Sequence, residues 1–176
     1  MNEKNILLTG KPGVGKTTVI YQLSHHLSPY QVAGFYTQEI RIEGQRQGFL
    51  ITTFNGLEKT LAHKKFANLY KIGKYGVNLS ALNEVIVHLQ KEIQEPDLWL
   101  IDEIGKMESL SGEFRNFIEH CLQNTIPVIA TISISAGGWI ENIRRRKDIK
   151  LMEVNEKNRD DLPLMIAEML QKIIQK

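Results

Sequence analysis

The stretch Gly10-Lys11-Pro12-Gly13-Val14-Gly15-Lys16-Thr17 satisfies the spacing G-x-x-x-x-G-K-S/T at every constrained position. A loop so poor in apolar side chains cannot build a core, but it suits an anion. Glycines let successive backbone N–H groups turn inward. A helix starting near Gly15 adds unpaired amides and the positive end of its dipole. Lys16 can then reach the β- and γ-phosphates of a nucleotide, Thr17 can offer a hydroxyl to Mg²⁺, and Thr18 continues the contact into the helix. A second stretch, Leu98-Trp99-Leu100-Ile101-Asp102-Glu103, ends an apolar run in two carboxylates. Asp102 can order Mg²⁺, directly or through its water shell. Glu103, pointing to the other side of the strand, can accept a proton from an attacking water. An Asp alone fits almost any nucleotide enzyme; the added Glu favours hydrolysis over transfer to a second substrate.

These residues need a strand before the loop, a helix after it and a parallel sheet that gathers strand ends. The apolar run 5–9 supplies the strand. Val19, Ile20, Leu23 and Leu27 recur at helical spacing after the loop. Further strands are expected at 32–37, 48–54, 97–102, 126–132 and 151–154, and helices at 15–27, 79–93, 112–123, 137–146 and 160–174. Ser111 is placed to cap the third of these helices. Alternation of helices with short apolar runs predicts an α/β fold, a three-layer αβα sandwich around a mainly parallel sheet. In such a sheet ligands collect at the carboxyl ends of the strands. Residues 34–61 break the rhythm. They alternate, with Gly44 and Asn55-Gly56 as turn signals, and predict a small antiparallel hairpin extension. With no linker or repeat, residues 1–176 read as one domain.

The bulk numbers agree with this and exclude little else. A net charge of +2 is too weak to imply nucleic acid or acidic membrane by itself. One cysteine, Cys121, excludes an internal disulfide or a cysteine-rich zinc site, and its helical neighbours mark it as core. No 18-residue apolar run is present, so no membrane span is expected, and a cytoplasmic location fits. Oligomeric state is left open, with a monomer favoured.

The pieces "LLTGKPGVGKTT", "GFYTQEIR" followed by "GFLITT", "YGVNL", "IDEIGKME", "IPVIATI" and "NRDDLP" run in order from residue 7 to about 163. Together they resemble the nucleoside-triphosphatase family of small P-loop proteins that includes the human cancer-related nucleoside-triphosphatase. The resemblance implies the P-loop NTPase fold and Mg²⁺-dependent hydrolysis of nucleoside triphosphates, ATP and GTP among them, to diphosphate and phosphate, with slow turnover and broad base tolerance. Its phosphate loop (Walker A) is residues 10–18, and Leu100, Ile101, Asp102 and Glu103 form its Walker B strand.

Several other residues have competing readings. Lys106 can approach the γ-phosphate or pair with Glu108. The Thr131 hydroxyl can sense the γ-phosphate, but a plain strand residue is favoured. Arg41 shares a strand face with Glu39; it can approach the phosphates or simply pair with Glu39 or Glu43. Arg144, Arg145 and Arg146 suit a helix C-terminus, and one of them could close over the γ-phosphate. Asn158 and Arg159 lie where related folds place the loop under the base, although Asn158 reads better as a helix cap. The basic segment 59–74, with Phe66, Tyr70 and Tyr75, reads as a solvated segment more readily than as an RNA- or DNA-contacting loop. Two rival functions remain: a nucleotide or small-molecule kinase, and a nucleotide-dependent nucleic-acid-binding switch.

Overall fold

A computed structural model describes residues 4–67, 70–93, 95–134 and 137–174. The chain runs β1 (Asn5–Thr9), α1 (Lys16–His26), β2 (Val32–Ile42), β3 (Gln45–Thr53), β4 (Glu58–His63), β5 (Lys71–Ile72), β6 (Tyr75–Val77), α2 (Leu79–Glu92), β7 (Leu98–Ile104), a 3-10 turn (Glu108–Leu110), α3 (Gly112–Gln123), β8 (Val128–Ile132), α4 (Trp139–Arg144), β9 (Ile149–Glu153) and α5 (Leu162–Ile174). One sheet takes the order β5-β6-β4-β3-β2-β7-β8-β1-β9. From β2 to β9 all neighbours are parallel; from β2 to β5 all are antiparallel.

The strands' two-residue period sorts their side chains between two cores. Ile6 and Leu8 of β1, with Leu98 and Leu100 of β7, pack with Val19, Ile20 and Leu23 of α1 and Leu162, Ile166 and Leu170 of α5. Leu7, Trp99 and Ile101 point the other way, onto Leu82, Val85 and Leu89 of α2 and Phe114, Phe117 and Cys121 of α3. Burying each such side chain is worth about 1.5–3 kcal/mol, and a one-residue slip would turn every one of them to the wrong layer. The three-layer arrangement therefore follows from the alternation. Helix ends behave as their sequences predict where a side chain can cap. Ser111 Oγ accepts from Phe114 N at 3.0 Å, and Asn78 caps α2 through Ala81 N at 3.1 Å.

The antiparallel part is larger than a hairpin. It holds four strands, β3 to β6, and the expected strand at 32–37 continues to Ile42 as one arm of the first hairpin. Residues 59–74, expected to be solvated, instead supply β4 and β5, with Lys59 tied to Glu84 of α2 at 2.7 Å. The signal was weak because these strands are short and half-exposed. Ala62 of β4 and Tyr75 and Val77 of β6, with Phe49, Ile72 and Met107 packed against them, form a separate small core at this end of the sheet.

Candidate functional site

β1, β7 and β8 end near one level, where β2 leaves β7 and runs on into the hairpin, because their register is fixed: Phe35 pairs with Ile101, Ile101 with Ala130, and Leu8 with Thr131. The phosphate loop leaves β1 at that level and turns into α1 at Gly15, whose φ of 108° is left-handed backbone that glycine adopts at no steric cost. The Lys16 ammonium folds back onto the loop and donates to Gly10 O at 3.0 Å and Lys11 O at 3.4 Å. Its charge is thus held over the backbone amides that an anion would meet. Gly10, Pro12, Gly13, Gly15, Lys16, Thr17 and Thr18 line the cleft. Val14 packs against the α1–α5 core instead.

Asp102 is buried and accepts three hydroxyl hydrogen bonds: Thr17 at 2.8 Å, Thr37 at 3.1 Å and Thr131 at 2.6 Å. Thr131 therefore neither faces a phosphate nor merely fills a strand position; it fixes the Asp102 carboxylate. Thr37, which sequence reasoning missed, does the same from β2. Its place could be seen only once β2 and β7 were paired. Thr37 N also approaches the carboxylate at 3.4 Å; the side-chain atoms that meet it are all oxygens, a set that suits a hard divalent cation. Leu100 and Ile101 lie in the two cores and carry the strand rather than the chemistry.

Glu103 diverges from Asp102. The peptide bond between them is cis, and the pairing of β7 with β8 shifts between Ile101 and Ile104. Glu103 lines the cleft beside Lys16. Burial and the Asp102 charge raise its carboxyl above the ordinary range, against the pull of Lys16. Glu108 stands next to it. A Cβ on Gly105 would lie 2.8 Å from an oxygen of each of these two carboxyls, so only glycine leaves room for both. Glu108 is 6% exposed, and burial, followed by the neighbouring Glu103 charge, pushes it up to about 8. Lys106 lines the cleft but makes no ion pair with Glu108, contrary to one of its two readings. Among the described residues no ion pair reaches Glu108.

The far wall comes from the antiparallel strands. The cleft, about 750 Å³, runs from the phosphate loop past Thr37, Gln38 and Glu39 to Arg46, Phe49 and Ile72. Arg41 is not among the residues that line the cleft. It shares a face with Glu39, as its alternation predicts, and of its readings the structure shows the pairing one: it donates to Glu39 at 2.7 Å and to Gly44 O at 2.8 Å. Arg46 is the arginine facing the cleft, and no local motif marks it; only the hairpin register reveals it. The three consecutive arginines are also engaged elsewhere. Arg144 donates to Ile134 O at 2.8 Å, Arg145 pairs with Glu141, and Arg146 binds Asp148 and Glu119. None of them lines the cleft.

At the other side of the loop, Arg159 reaches it, donating to Val14 O at 3.3 Å. Asn158 does not cap α5 with its side chain. Its Oδ1 accepts from Asn155 N at 2.9 Å and its Nδ2 donates to Glu153 O at 2.8 Å, bracing the loop from within. No described helix is long and apolar enough to cross a membrane.

A family model described as NTPase matches residues 5–167. Nucleoside-triphosphatase THEP1 of Thermotoga sp. (strain RQ2) is 48% identical over 158 residues, which span 89% of this chain and 90% of that protein. The crystal structure of THEP1 from the hyperthermophile Aquifex aeolicus superposes with a TM-score of 0.82 at 32% identity, covering 95% of this chain and 99% of that one. The solution structure of a human cancer-related nucleoside triphosphatase gives 0.80 at 32% identity, covering 96% and 97%.

Proposed function

The chain belongs to the NTPase family of nucleoside-triphosphatases, and on that premise we propose that it hydrolyses nucleoside 5'-triphosphates to diphosphate and phosphate with Mg²⁺ as cofactor. The observation that carries the hydrolytic reading is the divergence of the two adjacent acids. Asp102 is held by three hydroxyls, while Glu103 lies in the cleft beside Lys16 and, among the described residues, makes no ion pair. A carboxylate so placed is free to take a proton from water.

Lys16 and the loop amides bind the β- and γ-phosphates. Thr17 and Asp102 are the residues that would hold Mg²⁺, Asp102 directly or through water. When bound, the ion supplies charge neutralisation of the phosphate oxygens. Glu103 orients a water and accepts its proton as the water oxygen bonds to the γ-phosphorus. The elevated proton affinity of Glu103 matches that task better than an exposed carboxylate would. The base is read loosely. Arg159 is committed to the loop carbonyl and Asn158 to its own turn, so neither offers a dedicated base-reading pair. A cytoplasmic setting fits this substrate.

The test is phosphate release from ATP, GTP, CTP and UTP, with Mg²⁺ and with excess EDTA. Catalytic efficiencies should agree within about two orders of magnitude, the range that pocket contacts of ~1–3 kcal/mol allow. Activity that survives EDTA would overturn the metal assignment. Phosphate appearing on an added acceptor instead of in solution would move a kinase ahead.

A further inference from the structure

Arg46 sits across the cleft from Lys16 and Glu103, on a wall that the phosphate loop does not need for its own integrity. Its guanidinium pairs with Glu39 and lies 5.5 Å from the centre of the Phe49 ring. Glu39 also holds Arg41, which stands directly opposite Arg46 in the β2–β3 ladder. Burial works against the charge on Glu39. Hydrogen bonds from Arg46 and Arg41 outweigh it and keep the carboxyl below the ordinary range. Two arginines thus share one carboxylate, so one positive charge on this wall is left over.

The pairing is also cheap to break. The Arg46 side chain is 43% exposed and that of Glu39 32%. Ion pairs this open are weakly held, because solvent screens them and can replace either partner. If Arg46 leaves, Glu39 keeps Arg41, with its second anchor at Gly44 O. A triphosphate in the loop brings several negative charges into a cleft whose other cations are Lys16 and Lys106. A forked guanidinium gains more from bidentate contact with phosphate oxygens than from half of a shared, solvated carboxylate.

Resting on the hydrolytic reading above, we propose that Arg46 is a catalytic residue of this protein. It exchanges Glu39 for the γ-phosphate and stabilises the charge that develops there during water attack. The antiparallel half of the sheet then supplies in cis the arginine that the helical segment 139–146 does not.

The test compares parent, Arg46→Ala, Arg46→Lys and Glu39→Gln, each shown to be folded by circular dichroism and thermal melting. Single-turnover phosphate release should fall about 10³-fold in Arg46→Ala, and lysine should restore only a part, lacking the fork. Binding of a non-hydrolysable triphosphate analogue should change less than about threefold. The tightening of Mg·ADP binding by aluminium fluoride, which mimics the transferring phosphoryl group, should be lost in Arg46→Ala and kept in Glu39→Gln. Arg46→Ala turnover within tenfold of parent would overturn the proposal. So would loss of analogue binding in step with turnover, or an equal collapse in Glu39→Gln, since each marks a structural strut. A parent protein that releases no phosphate would instead defeat the hydrolytic reading itself.

Discussion

On one side of the cleft, where β1, β7 and β8 end, the charged groups are multiply bonded within the frame, and Asp102 is buried. Asp102 is held by three threonine hydroxyls, and Lys16 by two loop carbonyls. On the other side, β2 and β3 present Glu39, Arg46 and Phe49 on a half-exposed hairpin, with partners that solvent can replace. The difference has an energetic meaning. A buried charged hydrogen bond costs several kcal/mol to strand, so the parallel side cannot rearrange during turnover. An exposed ion pair costs little to exchange, so the antiparallel side can. On the proposed reading the first side binds the phosphate and holds the base Glu103 in a fixed place, and the second side supplies an arginine that can move to the transition state.

The largest test of this division is Glu103→Gln. The amide keeps the shape and removes the basic oxygen, so single-turnover phosphate release should fall about 10²–10⁴-fold while a nucleotide titration shows almost unchanged affinity. Near-parental release would take the base role from Glu103. A collapse of binding with the rate would move Glu103 to the metal or the frame.

Lys16→Ala should differ in kind. Its loss should appear in both binding and turnover, with kcat/KM down about 10²–10³-fold or more, because Lys16 acts on the phosphate before and during the reaction. Set beside Arg46→Ala, it gives the contrast between the two walls directly. If both variants spare analogue binding, the division between them fails.

Glu108, on the floor where the two halves meet, makes the next test one of stability. Its folded carboxyl keeps its proton up to about 8, whereas an unfolded one releases it in the ordinary carboxyl range. Between those values the unfolded chain binds fewer protons, so this group lowers stability as pH rises. Glu108→Gln removes the effect. Its unfolding free energy, from denaturant titrations, should gain on the parent's from pH 5 to pH 8 by up to about 1.4 kcal/mol per pH unit, with the melting temperature following in the same direction. A gap that stays constant over that range would show Glu108 to be ionised in the folded protein.

Thr131→Val is the smallest change. It keeps the strand and deletes one hydroxyl from Asp102, a loss of about 1.5–3 kcal/mol for a bond to a charged group. Half-saturating Mg²⁺ should rise roughly tenfold or more, with little change in base preference. An unaltered metal titration would mean that Thr17 and Thr37 orient Asp102 without it.

What could be read before any tertiary structure was local. The phosphate loop, the acid pair, the five helices and the parallel strands all lie in contiguous segments whose spacing carries their geometry. Gly15 must turn and Lys16 must follow it, wherever the loop sits. The helices around Phe114 and Leu82 declared their buried faces by their period alone.

The remainder depended on which strand lies beside which. Thr37 and Thr131 stand 65 and 29 residues from Asp102 in the chain, and only β2–β7–β8 adjacency makes them its donors. Arg46 lines the cleft where Arg41 had been considered, because the β2–β3 ladder sets Arg46 opposite Arg41 and against Glu39, a placement that local spacing cannot encode. Glu108 looked like a turn residue able to pair with Lys106 until packing buried it beside Glu103. Chain-local spacing determined the phosphate-binding chemistry because those atoms are covalent neighbours. The orientation of Asp102, the raised proton affinity of Glu108 and the placement of Arg46 against the cleft were decided by packing, since each depends on desolvation and contacts between residues the chain keeps far apart.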